Sequence, residues 1–450
     1  MDPSGQRPVA IDDAVATKRG GFHWPTFAAD AVLVWGGGLL ANILNYVYHF
    51  VLSRALGPDA YGSLATLLAI TMIVGVLGSS VGTLAMQETA RLWVTHRDGA
   101  IPAFGRVVIR SSAMIGVGIG IGMAIIALPL SAYLHVTDRL AWAFLIVALV
   151  AGIIAGAARG AIQGAHRFAG YAASLVGECA VKLALGIILV RVGWSVGGAM
   201  GGVAGGLIAG IAIAAVSLFT SRGQTEDGYR SEPYGAPALA LLLINAASMA
   251  LLYVDTLFAK HALSGVAAGE YTAAGLVARI IPFGIGLVVP LVMPKAAAAR
   301  HVDRAALGRL LAVAFGIGVG GIVIVLGVVE LWPTSIVHVT FGEAYSQAAL
   351  ILRLYAIDGA LIALGMLGTS YLVAVGDYRV GVYMVGSLAL QAGAMALYGT
   401  TPASLISIAA VGNALIVPVV AVLVARSLRD TPQAPAPRRA EIKHSRPERV

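Results

Sequence analysis

Twelve apolar runs, each long enough to cross a bilayer, follow one another along this chain of 450 residues. A transmembrane helix needs about 20 mostly apolar residues, and its backbone polar groups must all be hydrogen-bonded within the helix. The runs lie at 28–53, 62–86, 107–130, 140–163, 168–190, 195–220, 237–260, 270–294, 309–331, 346–374, 379–398 and 403–426. The sequence therefore predicts an all-α polytopic membrane protein with about twelve transmembrane helices. The first run is too long for a cleaved signal peptide.

Charged residues make up only 12% of the chain, about half of the roughly 25% that soluble domains carry. This proportion excludes a soluble enzyme, a nucleic-acid-binding protein and a disordered scaffold. The net charge of +8 is better explained by basic loops on the cytoplasmic side than by a nucleic-acid partner. Cys179 is the single cysteine, so neither an internal disulfide nor a cysteine-based metal site is expected.

The distribution of lysine and arginine predicts that both chain ends lie in the cytoplasm. With that orientation, only four of the 30 basic residues fall in outward loops, namely Arg54, Arg139, Arg191 and Lys260. Three more lie within spans, namely Lys182, Arg279 and Arg353. The remainder fall on the inner side.

The chain divides into two halves of nearly equal length. The predicted parts are an N-terminal cytoplasmic tail (1–27), a first lobe with spans 1–6 (28–220), a cytoplasmic linker (221–236), a second lobe with spans 7–12 (237–427) and a disordered cytoplasmic C-terminal tail (428–450). The linker is the longest charged and turn-rich interruption in the middle of the chain, and the second tail is rich in proline.

The two halves carry matching features in the same order, at offsets of about 200–212 residues. Arg54 and Lys260 end spans 1 and 7, and Tyr61 in DAYGSLA corresponds to Tyr271 in GEYTAAG. Because six spans is an even number, both halves enter the membrane in the same sense. Two six-helix lobes related by an axis along the membrane normal, with a site between them, are typical of an alternating-access transporter.

Several segments resemble the bacterial oligosaccharide flippases. These are LSRALGPDAYGSLATLL after span 1, YVDTLFA with GEYTAAG at spans 7–8, and FGEAYSQAALILRLYAI followed by VAVGDYR at spans 10–11. The resemblance is to the Wzx-type polysaccharide transporters of the multidrug/oligosaccharidyl-lipid/polysaccharide (MOP) superfamily. It implies a V-shaped pair of lobes that moves a polyprenyl-pyrophosphate-linked oligosaccharide, the repeat unit of a cell-surface polysaccharide such as lipopolysaccharide or exopolysaccharide, across the bacterial inner membrane.

Polar residues form one stripe on span 1 and another on span 7. Asn42, Asn45 and His49 are three and four residues apart, and Asn245, Ser248 and Asp255 are three and seven apart. Each set therefore occupies one helix face. A shift of 206 residues places Asn42 on Ser248 and His49 on Asp255. We expect the stripes to be walls of one hydrated central cavity; the alternative is that they only form interhelical hydrogen bonds.

Asp255 on span 7 and Arg279 on span 8 are expected at similar depth, because adjacent spans are antiparallel. One interpretation is a structural ion pair. The other makes Arg279 a contact for a pyrophosphate or an anionic sugar, since a guanidinium binds phosphate through paired donors. Asp255 would then hold the arginine or take up a coupling cation. His49 and Asp255 are both candidates for exchanging protons or sodium.

Glu178 and Lys182 lie four residues apart on span 5, in the favourable acid-before-base order. They are expected to neutralise each other; alternatively, Glu178 serves in ion coupling and Lys182 contacts an anionic substrate. Asp358 on span 10 is a lesser candidate for coupling.

Proline and glycine mark where helices bend and where they pack closely. Span 8 carries Pro282, Pro290 and Pro294, which remove backbone donors and suit a gate. Span 6 has glycine at 198, 202, 206 and 210. This ridge of small residues predicts close helix packing.

Two other functions stay open. A drug/cation antiporter of the MATE type would be favoured by carboxylates clustered in one lobe, and a membrane component of glycan polymerisation would need an acid/base pair on the outer face. No Walker A motif is present, so we expect no ATP site. We also expect no cofactor and no metal. The expected energy source is a proton or sodium gradient. The expected partners are a lipid-linked oligosaccharide, membrane lipids and other polysaccharide-assembly membrane proteins.

Overall fold

The computed structural model describes residues 24–95, 97–220, 236–285 and 304–429, and almost all of these residues are helical. Nine continuous helical stretches among them are long and apolar enough to cross a membrane. Two of the nine, with 65 and 52 residues, are far longer than the roughly 20 residues that one crossing requires. Each of these two therefore supplies two crossings.

The helices are numbered here in chain order. They are α1 (Trp24–Val94), α2 (Ile101–Tyr133), α3 (Arg139–Gly164), α4 (Phe168–Leu189), α5 (Ser195–Phe219), α6 (Ala236–Ala262), α7 (Gly265–Ala278), α8 (Ile280–Ile285), α9 (Arg304–Leu331), α10 (Pro333–Thr340), α11 (Ala348–Ala374), α12 (Val380–Tyr398) and α13 (Pro402–Arg429). A 3₁₀ turn, Asp98–Ala100, precedes α2, and another, Glu343–Tyr345, precedes α11.

Glycines with positive φ lie at two of the chain reversals. Within α1, Gly57 has φ 75°, and Pro58 follows it. Between α4 and α5, the π-helical segment Val190–Trp194 contains Gly193 with φ 98°. Glycine adopts such angles without the Cβ clash that other residues meet, so the chain turns back at both points.

The described helices match the predicted spans closely. The two halves of α1, together with α2 to α6, α9 and α11 to α13, account for eleven crossings. Helices α7 and α8 form the described part of the twelfth, whose predicted end, with Pro290 and Pro294, lies outside the described residues. The break between α7 and α8 falls at Arg279, three residues before Pro282, because proline cannot supply the backbone donor that would continue the helix.

The helices assemble into two lobes, α1–α5 and α6–α13, and α1 contacts α6 and α7 across the boundary between them. We call the membrane side where α1 begins and α13 ends the terminal side, and the opposite side, where Gly57 lies, the far side. One apolar core is shared by both lobes and contains Tyr61, Tyr271 and Tyr345. Towards the terminal side each lobe has its own core. The lobes therefore join on the far side and separate on the terminal side.

Candidate functional site

A cavity opens in the first lobe, between α1, α3, α4 and α5. Its deeper part, of about 550 Å³, is lined by Asn42, Asn45, Glu178 and Lys182, and Met249 of the second lobe closes one side. A second part, of about 440 Å³, continues towards the terminal side and is lined by polar side chains including Ser79, Thr83, Arg159, Gln163 and Tyr171. Gly75, Ser79, Gly152 and Leu175 line both parts. The cavity is therefore continuous and mixed in polarity.

Close packing of glycines builds two walls of this cavity. A Cβ at Gly160 of α3 would overlap the carbonyl of Gly82 in α1. On the other side, a Cβ at Gly202 of α5 would lie 2.6 Å from the backbone N of Gly186, and one at Gly206 would lie 2.6 Å from the Glu178 carbonyl. The predicted packing role of the span 6 glycines is confirmed, and it brings α4 close enough to present its polar face to the cavity.

Arg159 of α3 is the ion-pair partner of Glu178. Its Nη2 contacts Glu178 Oε2, and its Nε donates to Ser174 Oγ at 3.0 Å. Ser174 Oγ in turn donates to the Gly210 carbonyl at 2.8 Å. This chain of contacts joins three helices, so it fixes the orientation of both charged groups at the wall of the cavity.

Lys182 lies one helical turn further along α4 and is only 6% exposed. Its Nζ donates to Asn45 Oδ1 at 2.6 Å and sits 4.3 Å from the centre of the Tyr48 ring. The expected neutralisation of Lys182 by Glu178 is wrong, because Arg159 on the facing helix takes the carboxylate. The hydrogen-bond partner of Lys182 and the ring beside it are both neutral groups.

Sequence reasoning missed Arg159, because its place near the terminal-side end of span 4 grouped it with the loop residues. A usable signal was present. Arg159 and Gln163 are four residues apart in an otherwise small and apolar run, AGAARGAIQG, and Tyr171, Ser174 and Glu178 share one face of the next helix.

Asp255 and Arg279 pair in the second lobe, as one of the two interpretations expected. Arg279 Nη2 lies 3.1 Å from Asp255 Oδ1, and both side chains are buried. Asp255 also accepts hydrogen bonds from Tyr271 Oη, at 3.1 Å, and from Tyr355 Oη. Arg279 donates further to Thr256 Oγ1 at 2.9 Å and to the Leu252 carbonyl at 3.0 Å. In this conformation the guanidinium is engaged within the lobe.

Asp358 is buried elsewhere in the second lobe. Asn413 Nδ2 donates to its Oδ1 at 2.8 Å, and Gln391 Nε2 donates to Asn413 Oδ1 at 3.3 Å. Ser248 lines a narrow crevice together with Asn413, whereas Asn245 is exposed. The polar stripes of spans 1 and 7 therefore do not face a single cavity in this conformation, since Asn42 and Asn45 line the first-lobe cavity and Ser248 faces the interior of its own lobe.

The far side is closed by contacts between the lobes. Arg54 Nη2 donates to the Val339 carbonyl at 2.5 Å, Tyr345 Oη donates to the Ser53 carbonyl at 2.8 Å, and Lys260 Nζ lies 3.4 Å from Asp59 Oδ1. Ring contacts between the lobes lie near the same side, with Phe341 against Phe50 and Tyr61, and His261 stacked on Tyr133. His49 belongs to the same region, with its Nδ1 3.2 Å from Tyr61 Oη.

The backbones of the two lobes approach each other closely at two glycines. A Cβ at Gly62 of α1 would lie 2.9 Å from the backbone N of Gly269, and a Cβ at Gly269 of α7 would overlap the Pro58 carbonyl. These are the far-side starts of spans 2 and 8, which are equivalent in the two repeats. The closed far side and the separate terminal-side cores describe a conformation that is open towards the terminal side.

Comparisons with known proteins agree with this architecture. A family model described as polysaccharide biosynthesis protein matches residues 27–294. No curated protein sequence matches the chain.

Three solved structures of MOP superfamily transporters share the fold. An inward-facing multidrug resistance MATE family transporter is 15% identical, with a TM-score of 0.72 over 87% of this chain and 96% of that chain. An outward-facing structure of a multidrug resistance MATE family transporter is 15% identical, with a TM-score of 0.65 over 90% of this chain and 96% of that chain. A transporter from Pyrococcus furiosus, whose reversed pocket polarity suggests a different function, is 15% identical, with a TM-score of 0.64 over 89% and 95%. The predicted fold class, two lobes of transmembrane helices in a MATE-like arrangement, is confirmed.

Proposed function

The chain belongs to the polysaccharide biosynthesis protein family, and from that premise we propose that it is a flippase for a lipid-linked oligosaccharide. The substrate would be a polyprenyl-pyrophosphate-linked repeat unit of a cell-surface polysaccharide, as in the Wzx-type transporters. The protein would act in the bacterial cytoplasmic membrane, with its terminal side in the cytoplasm. It works as a transporter and not as an enzyme.

The charge of the first-lobe cavity carries this proposal. Among the described lining residues, Arg159 and Glu178 form a pair, and Lys182 adds a basic group that has no carboxylate within ion-pair distance. Asn42 and Asn45 add amide groups of the kind that bind sugar hydroxyls. A cavity with a net positive charge, neutral polar groups and apolar walls suits a substrate that joins a pyrophosphate to a glycan.

The geometry supports an alternating-access cycle. The pyrophosphate and glycan enter from the terminal side, where the lobes are apart, while the lipid chain stays in the bilayer. Lys182 attracts the anion, and Arg159 can exchange its bond to Glu178 for one to a phosphate oxygen. Rocking about the lobe boundary then separates residues such as Arg54 and Val339 and opens the far side.

The buried carboxylates of the second lobe are the proposed coupling groups. Asp255 is surrounded by Arg279, Tyr271 and Tyr355, and Asp358 by Asn413. A proton or a sodium ion that bound at Asp358 would neutralise a buried charge. Binding of that kind can favour one arrangement of the second-lobe helices over another. His49, next to Tyr61 at the lobe boundary, is the corresponding candidate in the first lobe.

A MATE-type drug/cation antiporter is the second candidate, and it is supported by the shared fold. Two of the structural relatives are multidrug resistance transporters. Organic cations would need a cavity with an excess of carboxylates, whereas Glu178 is paired with Arg159 and Lys182 lies beside it. The charge balance therefore favours an anionic substrate.

Mass spectrometry of lipid-linked glycans separates these candidates. Cells that lack the gene should accumulate a complete, unpolymerised repeat unit on its polyprenyl pyrophosphate, and the wild-type gene should remove it. Lys182→Gln should fail to restore the normal pool, whereas Arg110→Gln, a matched charge loss at an exposed position of α2, should restore it. An unchanged lipid pool in the deletion strain, with new sensitivity to cationic dyes, would support the antiporter, and a truncated glycan would support an enzyme.

A further inference from the structure

A groove of about 360 Å³ lies at the far-side end of the first lobe, separate from the cavity described above. It is lined by Phe50, Val51, Leu52, Arg54 and Ala55 from α1, and by Ile187, Val190 and Arg191 from α4 and the segment that follows it. Both arginines are exposed, and their side chains are the only charged groups among the residues that line it. The groove therefore combines two guanidiniums with an apolar wall.

On both sides of the groove, an apolar residue lies deeper in the membrane than an arginine. Phe50 precedes Arg54 by four residues, and Ile187 precedes Arg191 by four, which corresponds to about 6 Å along a helix. Both helices run towards the far side, so on each of them the apolar residue lies deeper in the membrane than the arginine. A ligand that fits has an anionic head at the membrane surface and a hydrocarbon chain below it.

We propose that this groove binds the lipid diphosphate of the transported molecule after it reaches the far-side leaflet. The choice of lipid rests on the proposed function, whereas the two arginines and the apolar wall favour an anionic lipid head whatever the protein transports. A guanidinium binds phosphate oxygens through paired donors. Two guanidiniums match a diphosphate, which carries more than one negative charge, better than they match the single charge of a phospholipid phosphodiester.

Arg54 links this site to the conformation of the protein. In the structure its Nη2 is bonded to the Val339 carbonyl of the other lobe, whereas Arg191 has no hydrogen-bond or ion-pair partner among the described residues. Separation of the lobes on the far side breaks the bond to Val339 and frees all five guanidinium donors of Arg54. The site is complete only when the far side is open, so the lipid diphosphate favours that state, and the coupling is reciprocal.

The test measures binding of a glycan-free polyprenyl diphosphate to the full-length protein in nanodiscs of phosphatidylcholine. Loss of one charged, paired hydrogen-bonding group should weaken binding about tenfold, so Arg191→Ala and Arg54→Ala should each show that loss. Arg191→Lys keeps the charge but loses the paired donors, so its affinity for the diphosphate should lie between those of Arg191→Ala and the wild type. Arg139→Ala removes a charge from another exposed far-side position and should bind as the wild type does.

The outcomes distinguish this site from the transport cavity. Suppose that Arg191→Ala binds the glycan-free diphosphate as tightly as Arg139→Ala does, while Lys182→Gln no longer binds the glycan-linked lipid. The groove proposal is then overturned and the flippase function stands. If phosphatidylglycerol displaces the diphosphate at equal concentration, the groove is a general phospholipid site and the proposal is again overturned. If the wild-type protein binds neither form of the polyprenyl diphosphate, the proposed function fails together with it.

Discussion

Replacing Gly269 with alanine adds one methyl group where the backbones of the two lobes approach closely on the far side. The new Cβ would overlap the Pro58 carbonyl. Because the obstacle is backbone, a change of rotamer cannot relieve the clash, and the lobes must move apart. Overpacking of this kind costs about 1–3 kcal/mol. The cost falls on the far-side-closed state alone, so the ratio of open to closed molecules should rise by about 5- to 150-fold.

Helix propensity does not account for such a shift. Alanine is favoured over glycine in a helix by up to about 1 kcal/mol, but α7 is helical in either arrangement of the lobes, so this term cancels. Gly75→Ala on α1 is the matched control, since a Cβ at Gly75 meets nothing within 4 Å.

Double electron–electron resonance measures this equilibrium directly. Spin labels at Arg139→Cys and Glu343→Cys, in a Cys179→Ser background, report the distance between exposed far-side positions of the two lobes. Gly269→Ala should enlarge the long-distance population, and Gly75→Ala should leave it at the wild-type level. A distance distribution for Gly269→Ala that coincides with that of Gly75→Ala would refute the idea that contact between the two backbones holds the far side closed.

Three further predictions follow from buried contacts. Asp255→Asn leaves Arg279 without its charged partner and should destabilise the protein by about 3–5 kcal/mol, seen as a lower melting temperature in detergent; an unchanged melting temperature would contradict the importance of the pair. Gly160→Ala should lose about 1–3 kcal/mol of stability in the same assay, whereas Gly152→Ala, where a Cβ meets nothing within 4 Å and alanine favours the helix, should melt at or slightly above the wild-type temperature. Arg159→Ala should weaken binding of the glycan-linked lipid about tenfold or more, and wild-type affinity in this variant would remove Arg159 from the substrate site.

The sequence was sufficient to predict the crossings of the membrane, because the length and polarity of a segment are local properties. Runs such as 140–163 and 403–426 became α3 and α13 with nearly the same limits. The repeat also indicated two equivalent lobes, and the glycine ridge of span 6 indicated a close helix contact. These inferences needed only periodicity and the hydrogen-bonding requirement of the bilayer.

The partners of the charged side chains were harder to predict. Glu178 and Lys182 are neighbours on one helix, yet Glu178 pairs with Arg159, 19 residues away, and Lys182 bonds to Asn45, 137 residues away. Asp255 accepts a hydrogen bond from Tyr355, which lies 100 residues further along the chain. Such pairings depend on how each helix is rotated about its own axis.

That rotation is weakly encoded in a membrane protein. In water, an apolar stripe identifies the buried face of a helix, but in a bilayer the lipid-facing surface is as apolar as the core. The amino-acid sequence by itself therefore determined which segments cross the membrane, where the chain turns and that two repeats exist. Only the packing of small residues decided which polar groups meet in the cavity and on which side of the membrane the two lobes are in contact. Examples are the contacts of Gly82 with Gly160 and of Gly62 with Gly269.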